Sequence, residues 1–117
     1  EIKTFKNGLE NLKVLKLFNC STSALSLDLF KNKNKLTSLN ILSHNKLPNL
    51  KINCSNLKLW EMNFLEDFSL YEFKLSKVEA ETFRNMPNLK KLSLNLCQIS
   101  IFEPCAFIYL EKLEDLD

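Results

Sequence analysis

Few side chains in this 117-residue sequence are of types that do chemistry, and their spacing limits what they can do. His44 is the single histidine. A nucleophilic triad needs a histidine beside a serine or cysteine, with a carboxylate to orient it. Nothing near His44 in the sequence suggests that set, and a polar residue bonding backbone at a strand end accounts for it. Gly8 is the only glycine, so no glycine-rich loop can cradle a phosphate. Cys20, Cys54, Cys97 and Cys105 show no C-x-x-C metal spacing. The expectation is a non-enzymatic protein with no metal and no other cofactor. Asn19-Cys20-Ser21 and Asn53-Cys54-Ser55 are N-x-S sequons, which accept glycans in a secreted protein.

What must position these groups is a repeat. Leu89, Leu92 and Leu94 are spaced L-x-x-L-x-L, Cys97 follows, and Phe107 stands six residues before Leu113. Leu65, Phe68 and Leu70 repeat the arrangement, followed by Phe73 and Phe83. Leu12, Leu15 and Leu17 do so again, followed by Cys20 and Phe30. The intervals are 36 − 12 = 24, 89 − 65 = 24 and 113 − 89 = 24 residues. In x-L-x-L-x the leucines point to one face and the x residues to the other. One such strand cannot bury its leucines alone; stacked strands form a parallel sheet over a shared core. A helix would put Leu15 and Leu17 on different sides. The pattern therefore predicts an α/β leucine-rich repeat solenoid, with a parallel inner sheet and an irregular or short-helical outer side. The phenylalanine before each new repeat would fill the core from the outer side.

The repeats run over 12–35, 36–64, 65–88 and 89–112, with partial repeats at both ends, so the sequence reads as an excerpt of a longer solenoid. The predicted strands are 14–18, 38–42, 67–71 and 91–95. The second repeat is longer, 65 − 36 = 29 residues, and holds a second partial motif at Leu47, Leu50 and Ile52. Either Leu39–Ile41 or Leu50–Ile52 could supply its strand. Outer segments read as loop or short helix; Val78, Phe83 and Met86 have helical spacing before Pro87 ends it. Trp60 and Met62 read as packing groups.

Composition agrees with a folded domain: 45% hydrophobic and 26% charged residues, with a formal net charge of +2. That balance does not suggest nucleic acid or an anionic membrane as a partner. No apolar run approaches the roughly 20 residues that span a bilayer, and no signal peptide opens the chain. Membrane attachment would come only through segments outside this sequence.

Cys20 and Cys97 fall at the position after the strand where a small side chain points inward, which suits buried thiols. Three strand steps of roughly 4.8 Å would separate them by about 14 Å, beyond the roughly 7 Å reach of a disulfide. A Cys54–Cys105 bridge stays open but disfavoured.

Outward strand positions are where a solenoid displays contact residues on a rigid sheet. The middle column is Lys16, Asn40, Ser69, Ser93 and Asp117; the third is Phe18, Leu42, Tyr71 and Asn95. Phe18, Leu42 and Tyr71 make an apolar stripe, either an interaction surface or a partly covered one. The candidate ligand-binding residues are therefore Lys16, Phe18, Asn40, Leu42, Ser69, Tyr71, Ser93 and Asn95.

The pattern L-x-x-L-x-L-x-x-[N/C]-x-[L/I], with its 24-residue period, resembles the extracellular repeats of Toll and Toll-like receptors. Residues 81–94 (ETFRNMPNLKKLSL) and 29–39 (LFKNKNKLTSL) carry the likeness best. The sequence departs from it by placing Cys20, His44, Phe73 and Cys97 where that family has asparagine, and by the over-long second repeat. The resemblance implies the ligand-binding part of an innate-immune receptor ectodomain. Its setting would be the extracellular side of a membrane or a secreted form, with a protein or microbial ligand and a receptor dimer as partners. A secreted or adhesion leucine-rich repeat protein that mediates protein–protein binding is the alternative. Secretion from a eukaryotic host should give a glycan at Asn53 and leave Asn19 bare; mass before and after glycosidase, with peptide mapping, checks this.

Overall fold

The structure is a computed structural model, and it describes residues 11–18, 35–42, 57, 61–73 and 75–117. Asn19, Cys20, His44, Asn53, Cys54 and Trp60, as well as Leu50 and Ile52, lie outside the described residues. The inner sheet has five parallel strands: β1 (Val14–Phe18), β2 (Ser38–Leu42), β3 (Asp67–Tyr71), β5 (Lys91–Ser93) and β7 (Asp115–Leu116), in that order. Between β3 and β5 in sequence lies β4 (Ser76–Val78), and between β5 and β7 lies β6 (Ile99–Phe102).

Register follows the leucines. Leu15 pairs with Leu39, Leu39 with Phe68, Phe68 with Leu92 and Leu92 with Leu116. The 29-residue interval thus leaves the sheet in phase: Ser38 pairs with Asp67 as Val14 pairs with Ser38. Side chains alternate as the pleat requires, with Leu17, Leu39, Ile41, Phe68, Leu70 and Leu92 at most 2% exposed and their neighbours outward.

A repeated hydrogen-bond device starts each strand. The carbonyl of Lys13 accepts from the amides of both Thr37 and Ser38. Thr37 O does the same for Glu66 and Asp67, Glu66 O for Lys90 and Lys91, and Lys90 O for Glu114 and Asp115. Both lone pairs of the carbonyl are used, so each repeat is tied to the next before any side chain meets. Further out, Lys35 Nζ donates to Asn11 Oδ1 at 2.8 Å and Lys112 Nζ to Asn88 Oδ1 at 2.7 Å, again one repeat apart.

The core is closed from the far side by the phenylalanines between repeats. Phe83 is buried, and its ring stacks on Phe107 with centroids 6.0 Å apart and 9° between planes. Met62, Leu65, Phe73, Leu75, Val78, Met86 and Leu89 complete this layer.

Three features refine the sequence expectation: the strand expected over 91–95 ends at Ser93, the outer segment expected as loop or short helix takes the loop form, and a second small sheet forms. Residues 79–86 are not helical: Val78 ends β4, and the following turns are held by Thr82 N–H to Glu79 O, Arg84 N–H to Glu81 O and Met86 N–H to Phe83 O. Glu81 has φ of 62°, which a right-handed helix cannot contain. A second, two-stranded parallel sheet pairs β4 with β6, Val78 opposite Phe102, with a register shift between Ser76 and Lys77. The turns recur with the repeat: Glu72 and Leu96 are 96 − 72 = 24 residues apart, Glu81 and Cys105 are 105 − 81 = 24 apart, and all four have positive φ. Replacing Phe83 with alanine should cost about 3–5 kcal/mol of stability. Phe64→Ala, at a 55% exposed side chain, should change stability by no more than about 0.5 kcal/mol. Urea unfolding of both variants checks the contrast.

Candidate functional site

The alternation that sends leucines inward sends the other strand residues onto one shared face. On β1 these are Val14, Lys16 and Phe18, all exposed. On β2 and β3 they are Ser38, Asn40 and Leu42, then Asp67, Ser69 and Tyr71, all half-buried. Lys91 and Ser93 continue the rows on β5, Asn95 follows it, and Asp115 and Asp117 end them. Register places Lys16 beside Asn40, Asn40 beside Ser69, and Ser69 beside Ser93; Phe18 lies beside Leu42, and Leu42 beside Tyr71. The structure thus brings Lys16, Phe18, Asn40, Leu42, Ser69, Tyr71, Ser93 and Asn95 onto one surface.

Hydrogen bonds lock the polar rows. Ser69 Oγ donates to Asn40 Oδ1, Asn40 Nδ2 to Ser38 Oγ at 3.5 Å, and Ser38 Oγ to Asp67 Oδ2 at 3.5 Å. Asn95 Nδ2 donates to Asp117 Oδ2 at 2.9 Å. Ser38 and Asp67 were not among the candidate residues, yet they hold Asn40 and Ser69 in place. Their facing positions in neighbouring strands are the sequence signal that could have found them. Among the described residues, every buried side-chain nitrogen and oxygen has a partner. The face is therefore a preorganised set of polar groups beside an apolar stripe, in which Phe18 is 59% exposed.

Charges alternate along this face. Lys91 stands in register between Asp67 and Asp115. Beside it, the Lys90 ammonium lies 3.4 Å from the Glu66 carboxylate. These exposed pairs set orientation more than stability.

Among the described residues, no group of three or more His, Cys, Asp or Glu side chains is placed to hold a metal ion. Cys97 and Cys105 are free thiols. Cys97 is only partly buried, not fully, and packs against the core with Sγ donating to Leu70 O of the preceding repeat at 3.5 Å. Burial pushes its thiol above the ordinary range, and a backbone hydrogen bond from Phe73 pulls weakly the other way. Cys105 is exposed. Native-state alkylation near neutral pH should therefore modify Cys105 well before Cys97, because the thiolate is the nucleophile; peptide mass mapping over time reads the order. Above the ordinary thiol range the unfolded chain loses this proton first, so stability should fall there with rising pH and level off past the folded-state value.

No curated protein matches the sequence. Residues 65–117 match the family described as leucine rich repeat. Among solved structures, the fold is similar to that in the crystal structure of a TLR13–ssRNA13 complex, with a TM-score of 0.70 and 21% sequence identity. That likeness covers 100% of this chain and 16% of the other. The motif, the parallel inner sheet and this likeness together show a leucine-rich repeat solenoid fold, similar to the fold of the TLR13 structure.

Proposed function

We propose that the chain is the ligand-binding part of a Toll-like receptor-type ectodomain in innate immunity, and that it binds protein through its inner face. The observation that carries this is the apolar stripe of Phe18, Leu42 and Tyr71 beside the hydrogen-bonded Ser38–Asn40–Ser69 row, on a sheet whose other side is core. Aromatic side chains held in place lose little entropy on binding and are enriched at energetic hot spots. The contact residues are Lys16, Phe18, Asn40, Leu42, Ser69, Tyr71, Ser93 and Asn95. The setting is the extracellular or endosomal-lumenal side of a receptor, with sequons at Asn19 and Asn53, of which Asn53 carries the glycan. The repeat boundaries at 12–35, 36–64, 65–88 and 89–112 belong to the same proposal.

The similar TLR13 structure holds single-stranded RNA. A phosphate backbone calls for several lysines or arginines along its path. The outward strand positions here, with Asp117 just past the last strand, carry Lys16 and Lys91 against Asp67, Asp115 and Asp117. This favours a protein ligand over a nucleic acid.

Panning the secreted protein against a displayed peptide library tests the proposal. Selected binders should lose affinity by about tenfold or more with Tyr71→Asp, and keep it with Phe64→Asp, which lies outside the strands. Binders that ignore Tyr71→Asp and fail with Phe64→Asp would move the site off the inner face.

A further inference from the structure

The inner face is not uniform along the stack. On β1 and β2 its only charge is Lys16, among Val14, Phe18 and Leu42. On β3, β5 and β7 the outward positions, with Asp117 just past the last strand, carry Asp67, Asp115 and Asp117 against Lys91 alone. Three acids less one base leave two negative charges. Lys91 sits between Asp67 and Asp115 in register, so both neighbours compensate it. The rim beside these strands adds to the imbalance. There Lys90 faces Glu66 at 3.4 Å, and Glu114 occupies the same place one repeat on. Before β1 and β2 the same place holds Lys13 and Thr37. One end of the face is apolar and slightly basic, and the other is acidic.

Building on the inner-face proposal, we infer that the occupant is a protein segment with apolar side chains at one end and lysine or arginine at the other. The apolar end packs on Phe18, Leu42 and Tyr71; the cationic end faces Asp67, Asp115 and Asp117. The strand spacing sets the distance between the two. Tyr71 is two strands from β7 and Phe18 four strands, or roughly 10 and 19 Å at about 4.8 Å per step. An extended peptide covers that with roughly three to six residues at about 3.3 Å each. Such a segment meets opposite charge where it is cationic and avoids leaving Asp115 and Asp117 covered by apolar groups without a partner.

The test uses fluorescent synthetic peptides titrated against the secreted protein by anisotropy. One design spaces Phe-Leu-Phe from Arg-Arg-Arg, a second replaces the arginines with glutamates, and a third replaces the apolar residues with serines. Single-stranded RNA is titrated beside them. The first peptide should bind about tenfold more tightly than either other peptide, with affinity falling as salt rises. The double variant Asp115→Asn, Asp117→Asn should erase that preference while circular dichroism stays unchanged. Equal binding of the acid-ended peptide, tighter binding of RNA, no binding by any probe, or a preference that survives the double variant would each overturn the inference. Binding that is lost with Tyr71→Asp but shows no charge preference would sink the inference and leave the inner-face proposal standing. Library binders that ignore Tyr71→Asp would remove the proposal itself.

Discussion

A strand with leucines on one face has two needs that it cannot meet alone: its peptide groups lack partners and its apolar side lacks cover. Here one geometry meets both. The carbonyls of Lys13, Thr37, Glu66 and Lys90 each take two amides from the next repeat, and the leucines that follow land on one another in register. Nearly everything else depends on this stacking. The Phe83–Phe107 contact, the Lys35–Asn11 and Lys112–Asn88 bonds, and the Cys97–Leu70 bond each link a residue to the repeat beside it. Contacts that reach only the neighbouring repeat make the stability a sum of repeat and interface contributions.

The inner sheet was legible because its cause is binary. Leucine two residues from leucine admits one face of a strand, and the 24-residue interval fixes which leucines meet. The ambiguous second repeat resolved in favour of Ser38–Leu42, which pairs on both sides. The outer side was less legible for two physical reasons. β4 and β6 are three and four residues long, and their register slips at Ser76, so no alternation builds up. The left-handed turns are occupied by Glu72, Leu96, Glu81 and Cys105 rather than glycine, so the usual punctuation is missing. Helical spacing of Val78, Phe83 and Met86 arose because all three face the same core, not because the backbone coils.

The candidate surface was legible as columns but not as a network. Which residues share the face follows from alternation and register. That Ser69 bonds Asn40, Asn40 bonds Ser38, and Ser38 reaches Asp67 depends on rotamers, which spacing does not encode. The network matters because it fixes polar groups that would otherwise need ordering at the moment of contact.

The interval between β2 and β3 is five residues longer than its neighbours, yet the strands stay in phase. The inner face therefore behaves as a ruler whose graduations are set by the backbone hydrogen bond and not by the length of chain between marks. Insertions and deletions away from the strands can accumulate without moving Phe18, Leu42 and Tyr71 relative to one another. Such a lineage can change what stands at each mark by point substitution alone, and a new partner has to match only the spacing that every repeat already shares.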